Sequence, residues 1–323
     1  MRRVMCHEFG PLENLTVEEF DAPEPGPGQV LVDVRAAGVN FVDSLFVRGA
    51  YQIKPPTPFT PGGEVAGVVS AVGDGADGFA PGDRVIASCG LGGFAEQVVA
   101  GAGSVFPLPD AVAFDIGATV VQSYATALFS LTRRTVVARD EWVLVLGAGG
   151  GVGLACIDVA RSLGAHVIGV ASSDDKRRAA ADAGAEATID STNEDVKLRA
   201  RELSGGGVDV VVDPVGGPSA KPALRALRTY GRYLVVGFAA GEIPRLPLNL
   251  VLLNNRTIIG VDWGGWAMRN VEDNRALVAQ ALEGVASGRL HPVTPSSLPL
   301  DQVVDALRDF EERRVTGKVV LVP

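Results

Sequence analysis

One stretch limits the fold of this chain more than any other: the apolar run Trp142 to Leu146 leads directly into GAGGGVGLACIDVARSLG, residues 147–164. The run reads as a buried strand, and the segment after the glycines carries apolar residues at helical spacing. Ala148, Gly150 and Gly153 fall on the A-x-G-x-x-G form of the dinucleotide fingerprint. In that arrangement glycines let the backbone approach a pyrophosphate, the last glycine lets helix and strand pack closely, and the N–H groups of the first helical turn face the anion. Gly151 and Val152 lie in that turn and join the expected cofactor contacts. The competing explanation is a glycine-rich turn that merely joins strand to helix.

Beyond the loop, apolar strands alternate with helices: His166 to Ala171, Ala187 to Asp190, Val208 to Asp213, Tyr233 to Gly237 and Thr257 to Val261. This predicts a doubly wound parallel sheet, an α/β Rossmann domain. Before it, Val30 to Gly38, Glu64 to Val72, Asp83 to Ala87 and Phe94 to Val99 are short strands separated by Gly, Pro and Asp turns, which predicts an antiparallel barrel. GATVVQSYATALFSL, from Gly117, reads as helix. After the Rossmann pattern come a helix from about Asn274 to Ser287, the loop HPVTPSSLPL, a helix from Asp301 to about Arg313 and the strand KVVLV, read as a return to the first domain. A chain of 323 residues, 47% hydrophobic, has material for two cores. The expected division is 1–124, 125–262 and 263–323, with the outer segments forming one domain.

A formal charge of −9 and the lack of a basic stripe argue against a surface built to neutralise nucleic acid. No segment approaches the roughly 18 apolar residues of a bilayer span, and Arg2 and Arg3 lead into Val4 without a secretory run, so a cytoplasmic protein without a membrane partner is expected. Cys6, Cys89 and Cys156 lie far apart and in no C-x-x-C pair, and read as reduced packing residues.

The end of the second Rossmann strand selects the cofactor. An NAD-binding fold usually places Asp or Glu there for the ribose hydroxyls. This chain has Ala171, Ser172 and Ser173, followed by Asp174, Asp175, Lys176, Arg177 and Arg178. Hydroxyls beside a cation suit the 2′-phosphate of NADPH, with Ser172, Ser173 and Lys176 as contacts. The alternative is a helix cap followed by a solvated, charged helix face.

The strings AAGVNFVDSLFVRGAY, PFTPGGEVAGVV, VQSYATALFSL, GAGGGVGL, VDVVVDPVGG, GRYLVVGFAAGEIP and GKVVLV, in that order, resemble bacterial NADPH:quinone oxidoreductases of the medium-chain dehydrogenase/reductase superfamily over nearly the whole chain. The resemblance implies a GroES-like barrel built from both chain ends and a Rossmann domain between, with NADPH in the cleft. It also implies a homodimer joined through the last strands, here Thr257 to Val261. Asn40, Tyr51, Gln122 and Thr126 would surround the nicotinamide and a small-molecule quinone or enone, with Asn40 and Tyr51 as the best donors. Ser191, Val215, Gly237, Phe238, Val261, Trp263 and Lys318 would complete the cofactor site. Relatives often place Tyr where this chain has Ser191. Packing and turn-capping roles for Asn40, Tyr51 and Thr126 stay open at this point, as do cleft-lining and core-packing roles for Trp263 and Trp266.

Zinc-dependent relatives carry a Cys where this chain has Asn40, a His inside G-H-E where it has Gly62, Gly63 and Glu64, and a Cys or Asp near Gln122. Two amides and a glycine cannot furnish the tetrahedral N, S and carboxylate set, so no metal is expected. His7, His166 and His291 read as packing or surface residues, and Asp43 and Glu64 as groups that orient their neighbours. Direct hydride transfer to an electrophilic quinone is the expected reaction. Reduction of an activated C=C bond, in an enone or a 2-enoyl thioester, is the nearer alternative. A structural or RNA-binding role of zeta-crystallin type is the more distant one.

Overall fold

The structure, a computed structural model, describes all 323 residues. The chain divides into two compact units: Met1–Gln122 with Asn274–Ala286 and Thr294–Pro323, and Ser123–Asp273 with Ser287–Val293. The first unit is built on a seven-stranded sheet. Its path runs Ser296–Pro299, Val319–Val322, Gln29–Val39, Glu64–Val72, Arg84–Ser88, Val105–Pro107, and Gln97–Gly101 also pairs with Gln29–Val39. All pairs are antiparallel except the first, where Ser296 to Pro299 run parallel to Val319 to Val322. That edge strand lies inside HPVTPSSLPL, read above as a loop. Its proline is confined to the strand's last position, where a missing N–H costs no ladder bond.

The strand Gln29–Val39 is buried along most of both faces. The helix Phe114–Val120 explains this: a Cβ on Gly38 would sit 2.0 Å from the Ala118 carbonyl, so only glycine admits the approach. Val30, Val32, Val65, Val85 and Phe94 form the dry centre of this unit.

The second unit carries a six-stranded parallel sheet in the order Ala187–Asp190, His166–Ala171, Trp142–Leu146, Val208–Asp213, Leu227–Val235, Thr257–Gly260. Four of these strands begin and end where the sequence pattern places them, and Thr257–Gly260 stops one residue short. The fifth starts six residues before Tyr233. Its ladder is interrupted between Val208 and Val210, and Tyr230 adopts a φ of 64°, so the polar stretch 228–231 bulges from the sheet and hides the strand's true start.

The unit boundaries also differ from the expected division at 262/263. The helix Trp263–Arg269 stays with the nucleotide-binding unit, where Trp266 packs against Phe129 with the rings tilted by 32°. The segment 287–293 does likewise, because the His291 N–H donates to the buried Asp158 carboxylate at 2.5 Å. No helix is long and apolar enough to cross a membrane.

Candidate active site

The nucleotide loop starts at the centre of the parallel sheet. After Leu146 the chain turns at Gly147 with φ 60°, and Ala148 donates its N–H to Val170 O at 3.0 Å. Gly150 caps the helix Gly151–Ser162 with no side chain of its own. A Cβ on Gly153 would come within 2.3 Å of the Gly147 carbonyl, which is the close packing that the last fingerprint glycine permits. At Gly150 the nearest protein atom to such a Cβ is 3.6 Å away, so nothing inside the chain demands glycine there. Open space in front of helix N–H groups is the cradle an anionic phosphate fits. Gly149 has a different reason: its Cβ would overlap the Lys176 side chain at 2.4 Å. The lysine therefore lies directly on the loop.

At the end of His166–Ala171, Ser172 and Ser173 are exposed. Ser173 is the N-cap of the helix Asp174–Asp182 and its hydroxyl accepts from the Lys176 N–H at 3.4 Å. Ser173 thus has a capping function besides the cofactor contact expected of it. Arg177 pairs with Asp174 and, at 3.0 Å, with Asp190, and Arg178 pairs with Asp175. Ser191 lies beside this end of the sheet, its N–H on Ala171 O at 3.0 Å.

Val215, Gly237 and Phe238 converge on the same rim. Val215 would meet a Cβ on Gly147 at 2.8 Å, and Phe238 one on Gly216 at 2.9 Å. Sequence reasoning missed what holds them: buried Asp213 accepts the N–H groups of Val215 and Gly216, each at 2.8 Å, and the Tyr233 hydroxyl. Burial and the Asp213 charge push the Tyr233 hydroxyl well up, so it stays a donor. Val261 follows the last strand, its N–H on Val235 O, and Trp263 opens the helix capped by Asp262.

In the first unit, strand register assembles a buried polar cluster. Val319 pairs with Val39 and Glu64 with Gly38, so Lys318 and Glu64 reach Asn40 from the strands on either side. Lys318 Nζ donates to Asn40 Oδ1 at 2.6 Å, to Glu64 Oε1 at 3.1 Å and to Val39 O at 3.4 Å. Asn40 Nδ2 donates to Glu64 Oε1 at 2.9 Å, and Glu64 Oε2 accepts the Gln122 N–H at 2.9 Å. Asp43 accepts the Asn40 N–H at 2.7 Å, and burial pushes its carboxyl up to about 7. The Cys89 thiol, on Gly62 O at 3.5 Å, is pushed up to about 12 by burial and is unreactive.

Asn40 and Gln122 therefore meet through Glu64, while Tyr51 rests on Phe46 with ring centroids 4.7 Å apart. Gln122 lies in the π-helical segment Val121–Ala125, and Thr126 opens the next α-helical turn, in the second unit. Lys318, expected at the cofactor, is 5% exposed, and its Nζ donates to three acceptors of its own unit. No group of three or more His, Cys, Asp or Glu side chains could hold a metal ion, and Gly63, whose Cβ would meet the Gln122 amide at 3.2 Å, offers no ligand where a third would stand. A zinc ion does not fit this donor set.

Two family profiles match the chain: "Alcohol dehydrogenase GroES-like domain" over residues 26–110 and "Zinc-binding dehydrogenase" over 151–281. Quinone oxidoreductase-like protein 2 homolog of Nematostella vectensis is 38% identical, covering 99% of this chain and 88% of that protein. Human quinone oxidoreductase is 34% identical over 100% and 98%. The Escherichia coli quinone oxidoreductase, solved in complex with NADPH, superposes with a TM-score of 0.93 at 28% identity, covering 100% of both chains.

Proposed function

Because the chain belongs to the quinone oxidoreductases of the medium-chain dehydrogenase/reductase superfamily, NADPH-dependent oxidoreductases, we propose that it transfers hydride from NADPH to a quinone without a metal ion. The carrying observation is the cluster at Asn40, Gly63 and Gln122, which holds amide donors and no metal-ligating set. Without a Lewis acid, the acceptor must already be electrophilic enough to take hydride, and quinones meet that condition.

NADPH, when bound, supplies the hydride. The remaining work falls to the protein. The first-turn N–H groups of Gly151, Val152 and Gly153 hold the pyrophosphate, Lys176 and Ser172 bind the 2′-phosphate, and Val215, Phe238 and Trp263 orient the cofactor. Asn40 and Tyr51 donate to the acceptor oxygen as it gains negative charge, with Gln122 beside it. The quinone takes up the hydride and one proton from solvent, which together reduce it to the hydroquinone. We also infer a homodimer, in which the last strand of the parallel sheet pairs with its own copy.

Steady-state turnover with 1,4-benzoquinone, 9,10-phenanthrenequinone, an enone and acrylyl-CoA, each with NADPH, tests the reading. Quinones are expected to give the highest kcat/KM. A preference for the enone or the thioester overturns the quinone assignment and leaves a C=C reductase.

A further inference from the structure

The buried ion pair Lys318–Glu64 brackets a single side chain, and the chemistry of its two ends is opposite. An ammonium only donates and a carboxylate only accepts. Asn40 lies between them with its oxygen 2.6 Å from Lys318 Nζ and its nitrogen 2.9 Å from Glu64 Oε1. Turning the amide over would set N–H against N–H on one side and oxygen against oxygen on the other. Two attractive charge-assisted bonds would become two repulsions in a site where Lys318 is 5% and Glu64 0% exposed. An isolated asparagine chooses between its two orientations by small differences. This one has no choice.

We propose that Lys318 is a positioning residue: together with Glu64 it locks Asn40 with the oxygen inward, so that the remaining amide N–H is turned to the ligand as a donor and never as an acceptor. The inference rests on Asn40 being the donor to the acceptor oxygen. It narrows the ligand class to groups that present an oxygen gaining negative charge at that point, which a quinone and an enone or thioester carbonyl share. The strands set the lock. Lys318 and Asn40 each lie one residue beyond the pairing of Val319 with Val39 that ends the antiparallel ladder of Gln29–Val39 with Val319–Val322, and Gly38 leaves the room that Glu64 occupies, since a Cβ there would lie 2.8 Å from its side chain. The Gln122 N–H on the second carboxylate oxygen keeps Glu64 from rotating away.

Selective 15N labelling of asparagine reads the orientation without turnover. In the wild-type protein one Asn40 side-chain proton, held by Glu64, is expected to exchange with water slowly and the other rapidly. Equal, rapid exchange of both overturns the proposal, and this measurement needs no variant. The double variant Lys318→Met/Glu64→Gln removes both charges together, so neither is left buried alone and thermal melting can show that it folds. It is expected to lose the exchange asymmetry and at least about tenfold in kcat, with NADPH affinity within about twofold of wild type by fluorescence titration. Lys318→Arg, which keeps a donor-only group, is expected to retain both. A folded double variant with unchanged kcat overturns the proposal, as does a fall in NADPH affinity equal to the loss in turnover. If the wild type reduces enones and not quinones, the quinone assignment falls while this inference is read on the enone. If neither is reduced, the exchange measurement decides alone.

Discussion

Lys176 shows how a glycine can report on a residue far along the chain. The fingerprint accounts for Gly150 and Gly153, but Gly149 is glycine because the Lys176 side chain lies across it. The Lys176 side chain lies on the phosphate loop, whereas Arg177 and Arg178 pair with Asp174, Asp190 and Asp175. Replacing Lys176 by Ala is expected to weaken NADPH by roughly 1 to 3 kcal/mol while leaving NADH nearly unchanged, read by fluorescence titration of both cofactors. Equal weakening of both would return the lysine to a helix-face role. At the same scale, Asp43 titrates far above the usual carboxylate range. Between its unfolded value of 3.8 and about 7 the folded state holds a proton that the unfolded state releases, so stability falls as pH rises through that window and levels off above it. Asp43→Asn removes that dependence. The melting temperature of the variant should gain on wild type as pH rises from about 4 to about 7, and then run parallel to it. A difference constant across the window would mean the carboxyl titrates normally. The contacts of Lys318 with Asn40 and Glu64 were not legible, because nothing in RVTGKVVLV tells which neighbours a strand-end lysine will meet; that depends on register with Gln29–Val39, a long-range pairing.

Elements were legible where one periodicity ruled. The parallel strands Trp142–Leu146, His166–Ala171 and Val208–Asp213 are largely apolar and buried, and their limits could be read to the residue. Legibility failed where a tertiary contact overrode the local pattern. The helix Trp263–Arg269 is hidden by Gly264 and Gly265, which look like a turn. Asp262 caps the helix through the Gly265 N–H at 2.9 Å, and a Cβ on Gly265 would strike that carboxylate at 2.1 Å. Likewise, GATVVQSYATALFSL is helical but includes the π-helical Val121–Ala125 and part of another such segment, Phe129–Arg134, which apolar spacing does not reveal. The strand Thr257–Gly260 ends the parallel sheet with Ile258 exposed and no further strand beyond it. Exposed Leu252, Leu253 and Tyr230 come from the segments just before it and from its neighbour strand. An unpaired, apolar edge invites another strand, and a second copy related by a two-fold axis supplies one antiparallel. Light scattering is expected to give twice the chain mass for wild type. In Ile258→Asp, each carboxylate faces its own copy and the mass should fall toward that of one chain. A monomeric wild type would remove the homodimer.

At the scale of the whole molecule, the nucleotide-binding unit matches a profile described as a zinc-binding dehydrogenase, yet the ligand positions lie in the other unit and carry the wrong chemistry. The two properties separate because they rest on different physics. A parallel sheet with a glycine loop is specified by apolar patterning and backbone sterics over some 130 residues, residues 151–281 in the match, whereas a catalytic zinc depends on three side chains whose loss leaves the fold intact. Here those positions are Asn40, Gly63 and Gln122. Lys318 brings a buried positive charge within 3.1 Å of Glu64, so a dication placed beside the pair would meet that charge as repulsion. Exhaustive dialysis against a chelator is therefore expected to leave NADPH-dependent turnover unchanged. Elemental analysis of the active protein should find zinc well below one atom per chain. Added zinc should not raise kcat. Activity that disappears on chelation and returns only with zinc would show that Asn40 and Gln122 are not the groups that stabilise the acceptor.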